Sequence, residues 1–472
     1  MRASATTDAP AATNADTIAV GVFDDERVAH DLDGAPLTAL LESGEARTAY
    51  KHLALHRADG RRWLLVGLGA RDAFDPERAR VAAATVYGRA SELGARSLCW
   101  ELPHHVSDDV AAGLVEGTIL AGYRFDRYRA ARNEEAPRLD EIVVSAHHDV
   151  AAAVRRGAAG AEGQNFAREL GDTPANDLTP MALGVRAAEI AGVDVEVHGR
   201  DWLAEQGMGA FLAVAQGSDQ EPALIAARYG GGDGALLGLV GKAVTYDTGG
   251  LSIKPKASMP EQKFDMAGGA AVLGALHAIA ALGLPVRVLA ILGATENTIG
   301  ANAMKPGDIL RAKTGVTIEM NNADAEGRLV LCDCLAHAVE QGAERIVDIA
   351  SLTGGIVTAL GSTYAGLFAT DDDLAAAVTA AGEAAGELVW RMPLHPEYDE
   401  QIKGRFADIV NSAGRLAHPI QGAAFLRRFV GDVPWAHVDI AGTAHDTGRP
   451  YAAKGGSGWG ARLLLELVRR SA

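Results

Sequence analysis

The chain has 472 residues, 48% hydrophobic and 22% charged, with 44 Lys plus Arg against 61 Asp plus Glu and a formal charge of -17. That length leaves room for roughly two to four domains and at least one large core. The negative field repels a phosphate backbone and argues against wholesale nucleic-acid binding. Three cysteines, Cys99, Cys332 and Cys334, cannot staple a chain of this size, which points to a reducing compartment.

Residues 1–17 are Ala/Thr/Asp-rich and read as disordered. They show neither an apolar signal core nor an arginine-rich amphipathic face. No apolar run approaches the ~18 residues of a spanning helix. The expectation is a cytoplasmic protein with no membrane partner. From Thr17 strand-like and helical runs alternate. Thr17–Phe23, Arg62–Leu68, Ser97–Trp100 and Ile142–Ser145 read as buried strands, and Glu77–Leu93 as a helix. The histidine pairs His104-His105 and His147-His148 read as surface or loop residues. The cluster Arg124, Arg127, Arg129 and Arg132 reads as a solvated face or subunit contact.

Asp149–Leu170 has a helical pattern and runs into GDTPANDLTP, where Pro174 and Pro180 break helix. The junction is placed near residue 165, giving an N-terminal α/β domain over 18–165 and a larger domain over 166–472. Strand candidates in the second domain are Ala223–Ala227, Ala235–Val240, Val286–Leu292, Val316–Met320, Ile346–Ile349 and Ala436–Ile440. Helices intervene at Met266–Leu282, Gly327–Gln341 and Asp372–Glu387. Near-continuous apolar strands alternating with helices predict an α/β fold with a mostly parallel central sheet covered on both faces. Cys332 and Cys334 fall within a predicted helix and read as small buried hydrophobes.

The stretch GKAVTYDTGGLSIKP, Gly241–Pro255, places Lys242, Asp247 and Lys254 among glycines after an apolar run. It is not a phosphate loop, because Leu236 and Ala243 stand where that loop needs glycine and Ser/Thr. No H-E-x-x-H or G-x-S-x-G occurs either. What remains is a set of acids near strand ends: Asp247, Asp265, Asp324 and Glu326. Ligands collect at the carboxyl ends of strands in such sheets, and four converging acids repel unless cations lie between them. Divalent Zn, Mn or Mg would resolve the repulsion. Helix N-caps and turns are the other reading of the same residues. Arg328, in Asp324-x-Glu326-x-Arg328, is then a salt-bridge partner or an anion clamp.

NADAEGRL, Asn322–Leu329, resembles the NTDAEGRL signature of the leucyl aminopeptidase family of metallopeptidases. GKAVTYDTGGLSIKP, QKFDMAGGAAV, ATEN, KPGDI, DIASLTGG, ADIVNSAGR and WAHVDIAGTA are similar to further family segments in family order. The likeness runs from about Asn165 to Leu467; the N-terminal domain carries no comparable motif. It implies a hexameric aminopeptidase acting on peptides with two divalent metal ions, Zn or Mn, with Mg as a further candidate. By that resemblance Lys242 is a neutral-amine ligand completed by Asp265, Asp247 and Glu326 bridge the metals, and Asp324 ligates the second. Lys254 faces the substrate as an oxyanion partner, Arg328 holds bicarbonate for proton transfer, and Gln262, Thr353, Gly354 and Ala444 contact the substrate.

Two positions depart from the family pattern. Ala323 replaces the signature threonine, with an expected loss of one supporting hydrogen bond. Gln262 stands where many members carry the methionine that floors the pocket for the first side chain. A polar floor penalises leucine and shifts the expected preference toward polar or longer residues. A narrow dipeptidase remains an alternative, as does a DNA-binding regulator, against which the charge weighs.

Overall fold

The apolar runs of the sequence become the inner strands of two sheets, each in its own unit. The computed structural model describes residues 1–130, 138–230 and 233–471. Arg132 of the arginine cluster lies outside them. The first unit is Met1–Glu162 with Gly448–Ala453; the second is Gly163–Thr447 with Lys454–Ala472.

In the first unit six strands are Arg2–Thr6 (β1), Thr17–Phe23 (β2), Leu53–Ala58 (β3), Arg61–Gly69 (β4), Ser97–Glu101 (β5) and Glu141–Ser145 (β6). Their order is β1-β6-β5-β2-β4-β3, parallel throughout except for the β3–β4 pair. The two-residue period of β2 feeds both faces. Ile18, Val20 and Val22 join Leu37, Trp63 and Cys99 in one core. Ala19 and Phe23 join the other, which contains buried side chains of the helices Pro76–Glu92 and Asp108–Ala121. Such double burial is the condition a parallel sheet requires, and each fully buried Val, Leu or Ile contributes roughly 1.5–3 kcal/mol. The first helix starts at Pro76 because Asp75 caps it, its carboxylate accepting from Arg78 N at 2.8 Å.

Two expectations are corrected here. Residues 1–17 are structured: β1 pairs with β6, and Pro10–Ala12 forms a 3-10 turn. An edge strand draws on backbone pairing more than on side-chain burial, so a polar composition did not reveal it. The 18–165 and 166–472 division also fails at one place. The boundary falls within the helix Ala151–Asp172, and Gly448–Ala453 returns to the first unit. There Tyr451 Oη donates to Glu77 Oε1 at 2.8 Å.

The second unit holds Asp194–His198 (β7), Ala223–Gly230 (β8), Leu236–Asp247 (β9), Arg287–Asn297 (β10), Ile309–Arg311 (β11), Thr317–Glu319 (β12), Arg345–Ala350 (β13), Ala365–Ala369 (β14), Val389–Arg391 (β15), Ile409–Val410 (β16) and Trp435–Asp439 (β17). Its main sheet has the order β15-β14-β17-β13-β9-β10-β8-β7, with the central run β17-β13-β9-β10 parallel. β12 is not in that sheet. The expected strand Val316–Met320 shrinks to three residues and pairs with β11 and β16 in a separate small sheet. Its apolar pattern is real, but its hydrogen-bond partners are local. The helical stretch Lys256–Leu282 is long and apolar enough to cross a membrane, yet most of it is buried within the fold. Cys332 and Cys334 are buried in the helix Gly327–Glu340.

Candidate active site

The carboxyl ends of the parallel strands β9, β13 and β17 meet one cavity of about 260 Å³. Asp247 closes β9, Ser351 and Thr353 follow β13, and Ala441 and Ala444 follow β17. Lys242 and Asp247 both line the cavity, although an odd spacing along one strand directs side chains to opposite faces. The reconciliation is a β-bulge. Against β10, Val244 pairs with Thr295 and Tyr246 with Glu296, which leaves Thr245 as an extra residue. One inserted residue turns Asp247 to the side of Lys242.

The chain then folds back through Gly249 and Gly250, both at positive φ (83° and 57°), a conformation that glycine adopts without a Cβ penalty. Asp247 Oδ1 accepts from Gly249 N and Asn297 Nδ2, each at 2.8 Å. The turn returns Lys254 to the cavity, where its Nζ lies 2.8 Å from Asp247 Oδ2 and also contacts Asp324. On the other side Lys242 Nζ is 2.7 Å from Asp265 and 2.8 Å from Glu326 Oε1, and it donates to Ser351 O at 3.0 Å. Gly327 permits this approach, since a Cβ there would stand 2.7 Å from Lys242 Cε. Each lysine therefore bridges two carboxylates. The capping reading loses its ground at Glu326, which stands at a helix N-cap but makes no capping hydrogen bond.

Burial sets the electrostatics. It raises the Asp265 carboxyl well above its ordinary range against the pull of Lys242. It also raises Asp324 to about 6 against Lys254. Burial works in the same direction on Glu326, but Lys242 and Lys254 win and bring it to about 2. For both lysines burial favours the neutral amine. The surrounding acids outweigh it and hold both ammonium groups above their usual range.

Four carboxylates with two ammonium groups leave negative charge uncompensated in a largely buried space. One oxygen from each of Asp247, Asp265 and Glu326 lies within 4.8 Å of the others. A set of oxygen donors at that spacing, with a lysine whose proton a cation could displace, fits hard or borderline divalent metal ions.

Of the residues named from sequence, Lys242, Asp247, Lys254, Gln262, Asp265, Asp324, Glu326, Thr353, Gly354 and Ala444 all line this cavity. Arg328 is not among the lining residues. It is 1% exposed, and Nη1 donates to Asn411 O at 2.7 Å. Its Nη2 lies 3.1 Å from Nε2 of His418, which does line the cavity. Burial lowers the Arg328 guanidinium to about 10, with Glu326 and Asp439 opposing. Thr353 Oγ1 donates to the buried Asp439 at 2.6 Å, and Gln262 Nε2 donates to Ser258 O at 2.9 Å within its own turn. Ala323 contributes only backbone: its carbonyl accepts from Asn297 Nδ2 at 3.0 Å and its N–H donates to Ser252 Oγ at 3.0 Å.

Several participants were not singled out from sequence. Asn297 orients Asp247, Ser351 Oγ donates to Asp265 Oδ1 at 2.8 Å, and Asn411 pins the signature loop through Asn321 N, Asn322 N and Asn322 O. All three lie in the segments ATEN, DIASLTGG and ADIVNSAGR, so the signal was present without a role. His418 had no such signal.

Residues 165–465 match the cytosol aminopeptidase family catalytic domain, and residues 19–132 its N-terminal domain. The chain is 43% identical to a probable cytosol aminopeptidase of Roseiflexus castenholzii, over 99% of both chains. It is also 43% identical to one of Solibacter usitatus, over 96% of both. Among solved structures it is similar to the bottromycin maturation enzyme BotP in complex with Mn (TM-score 0.89, 35% identity, 97% of this chain and 100% of that one). A mutant of tomato leucine aminopeptidase gives a TM-score of 0.88 at 31% identity, over 99% of this chain and 96% of that one. With that agreement over both units and a cavity whose donors suit divalent metal, the chain belongs to the cytosol aminopeptidase family of metal-dependent aminopeptidases.

Proposed function

We propose that the chain removes the N-terminal residue of peptides at a centre of two divalent ions, Zn or Mn, held by Lys242, Asp247, Asp265, Asp324 and Glu326. The observation that carries this reading is the meeting of four carboxylates and two lysines in one cavity. When bound, the ions would lower the pKa of a water and polarise the scissile carbonyl. Asp247, steadied by Gly249 N and Asn297, and Asp265, steadied by Ser351, present preorganised ligands. Lys254, kept cationic by Asp247, Glu326, Asp265 and Asp324 against the pull of burial, supplies a fixed positive charge for the oxyanion that develops on the carbonyl. Arg328 retains a buried Nε without a hydrogen-bond partner, and an anion such as bicarbonate at its guanidinium would supply a proton acceptor and donor. Gln262, Thr353, Gly354 and Ala444 shape the cavity around the substrate, and Gln262 moves preference from leucine toward polar or longer side chains.

Hydrolysis of a panel of amino-acid p-nitroanilides and free dipeptides by metal-stripped protein, resupplied with Zn or Mn, tests the reading. Release that depends on metal and disappears in Glu326→Ala is expected; equal rates in the variant would overturn it. The dipeptide arm separates a general aminopeptidase from a narrow dipeptidase. A cytoplasmic homohexamer is part of the same proposal, supported by the names of the relatives and the family resemblance. Light scattering in solution checks the assembly.

A further inference from the structure

The first unit repeats the topological position of the aminopeptidase site with different chemistry. The parallel strands β6, β5 and β2 are neighbours, and the loop leaving the carboxyl end of each delivers one histidine: His147, His104 and His30. One ring nitrogen from each lies within 4.8 Å of the other two. The Nε2 atoms of His104 and His147 face each other at 2.5 Å. The His30 ring centroid stands 5.5 Å from each of the other two. Two imidazole nitrogens meeting head-on repel unless a proton or a metal cation lies between their lone pairs.

A second, independent observation comes from Glu101, the last residue of β5. It is 5% exposed. Its Oε1 contacts His30 Nδ1, while its Oε2 is buried without a hydrogen-bond partner. A carboxylate that accepts from Nδ1–H fixes the tautomer and leaves Nε2 as a ligand, the usual support for a metal-bound histidine. Glu101 and His104 line a cavity of about 320 Å³. The nearby cation, Arg71, is occupied: Nε and Nη2 donate to Glu26 at 2.6 and 2.7 Å, and Nη1 to His104 O at 2.5 Å.

We propose that His30, His104 and His147, oriented by Glu101, bind one divalent transition-metal ion of the Zn2+ class through imidazole nitrogen. Three nitrogen ligands select Zn2+, Co2+ or Ni2+ over Mg2+ and leave a fourth position to solvent, which reaches His30 and His147. The ion ties together the loops that follow three adjacent strands. None of these residues belongs to the aminopeptidase cavity, so this site and the two-metal reading stand or fall separately.

Equilibrium dialysis of the full chain against Zn2+, with bound metal counted by atomic emission, tests the proposal in parent and Glu326→Ala backgrounds. Adding His104→Ala with His147→Ala is expected to remove one equivalent of Zn2+ in both backgrounds. In the parent background aminopeptidase activity is expected to stay unchanged, which also reports correct folding. Glu101→Gln should weaken that equivalent by about 10–100-fold. With Co2+ in place of Zn2+, visible bands of a nitrogen-rich four-coordinate ion should be lost with the histidines. His147→Gln alone provides a milder variant should the double one fold poorly. An unchanged count in the histidine variants, or Mg2+ competing as well as Zn2+, overturns the site.

Discussion

In the second unit the carboxyl ends of β9, β13 and β17 border a cavity lined by carboxylates and lysines, most of them almost wholly buried. In the first unit β2, β5 and β6 lead into three histidines, two of them exposed. Both clusters sit where parallel strands end and loops converge. The difference lies in what burial demands. An ionised carboxylate taken out of water costs several kcal/mol unless cations accompany it, so the acid cluster carries Lys242 and Lys254 within it. An imidazole that stays in contact with solvent carries no comparable desolvation cost, so the histidine cluster has no cation packed within it. The proposed metal site there rests on the histidine geometry and on the unsatisfied Glu101 oxygen.

Breaking the buried charge network gives the largest expected effect. Lys242→Met leaves Asp265 and Glu326 without their shared cation. A loss of activity beyond ~10³-fold and of about 3–5 kcal/mol in stability is expected, read by p-nitroanilide hydrolysis and denaturant melts. Melts that overlay the parent would show that the lysine does not compensate those acids. Lys254→Ala removes the charge proposed to face the developing oxyanion. Its kcat should fall by about 10²–10³ with KM little changed; a rise in KM alone would assign Lys254 to ground-state binding.

Smaller changes sharpen the contrast. Gln262→Met should raise kcat/KM on leucine substrates by about tenfold, and an unchanged ratio of leucine to polar substrates would remove Gln262 from specificity. The smallest effect concerns pH. Burial and Arg328 hold the His418 imidazole down at about 4, against ~6.5 in an unfolded chain. Below pH ~6.5 the unfolded chain therefore takes up a proton that the folded one refuses. This contribution to stability is present above ~6.5 and is lost as pH falls toward 4. Thermal melts of His418→Asn should then decline less than those of the parent between neutral pH and pH ~4.5, by roughly 2 °C. Parallel curves would mean that His418 titrates normally.

Most strands were legible. Thr17–Phe23 coincides with β2, and Ser97–Trp100 and Ile346–Ile349 differ from β5 and β13 by a residue or two. Alternation and apolar runs are local properties, and a strand buried on both faces has to display them. The acids and lysines of the cavity were legible through their segments. Their partners Asn297, Ser351 and Asn411 were visible but silent, because an amide or hydroxyl acquires a role only from what it faces.

The sequence by itself determined the α/β alternation, the apolar faces and the donor types available to the catalytic unit, since these depend on residue chemistry and short spacings. Tertiary structure decided that β1 joins an edge, that β12 leaves the main sheet and that Gly448–Ala453 returns to the first unit. It also decided that the bulge at Thr245 turns Asp247 toward Lys242 and that three histidines distant in sequence share one space. Each of these outcomes is set by which remote backbone supplies the hydrogen-bond partner, and no local pattern along the chain encodes that choice.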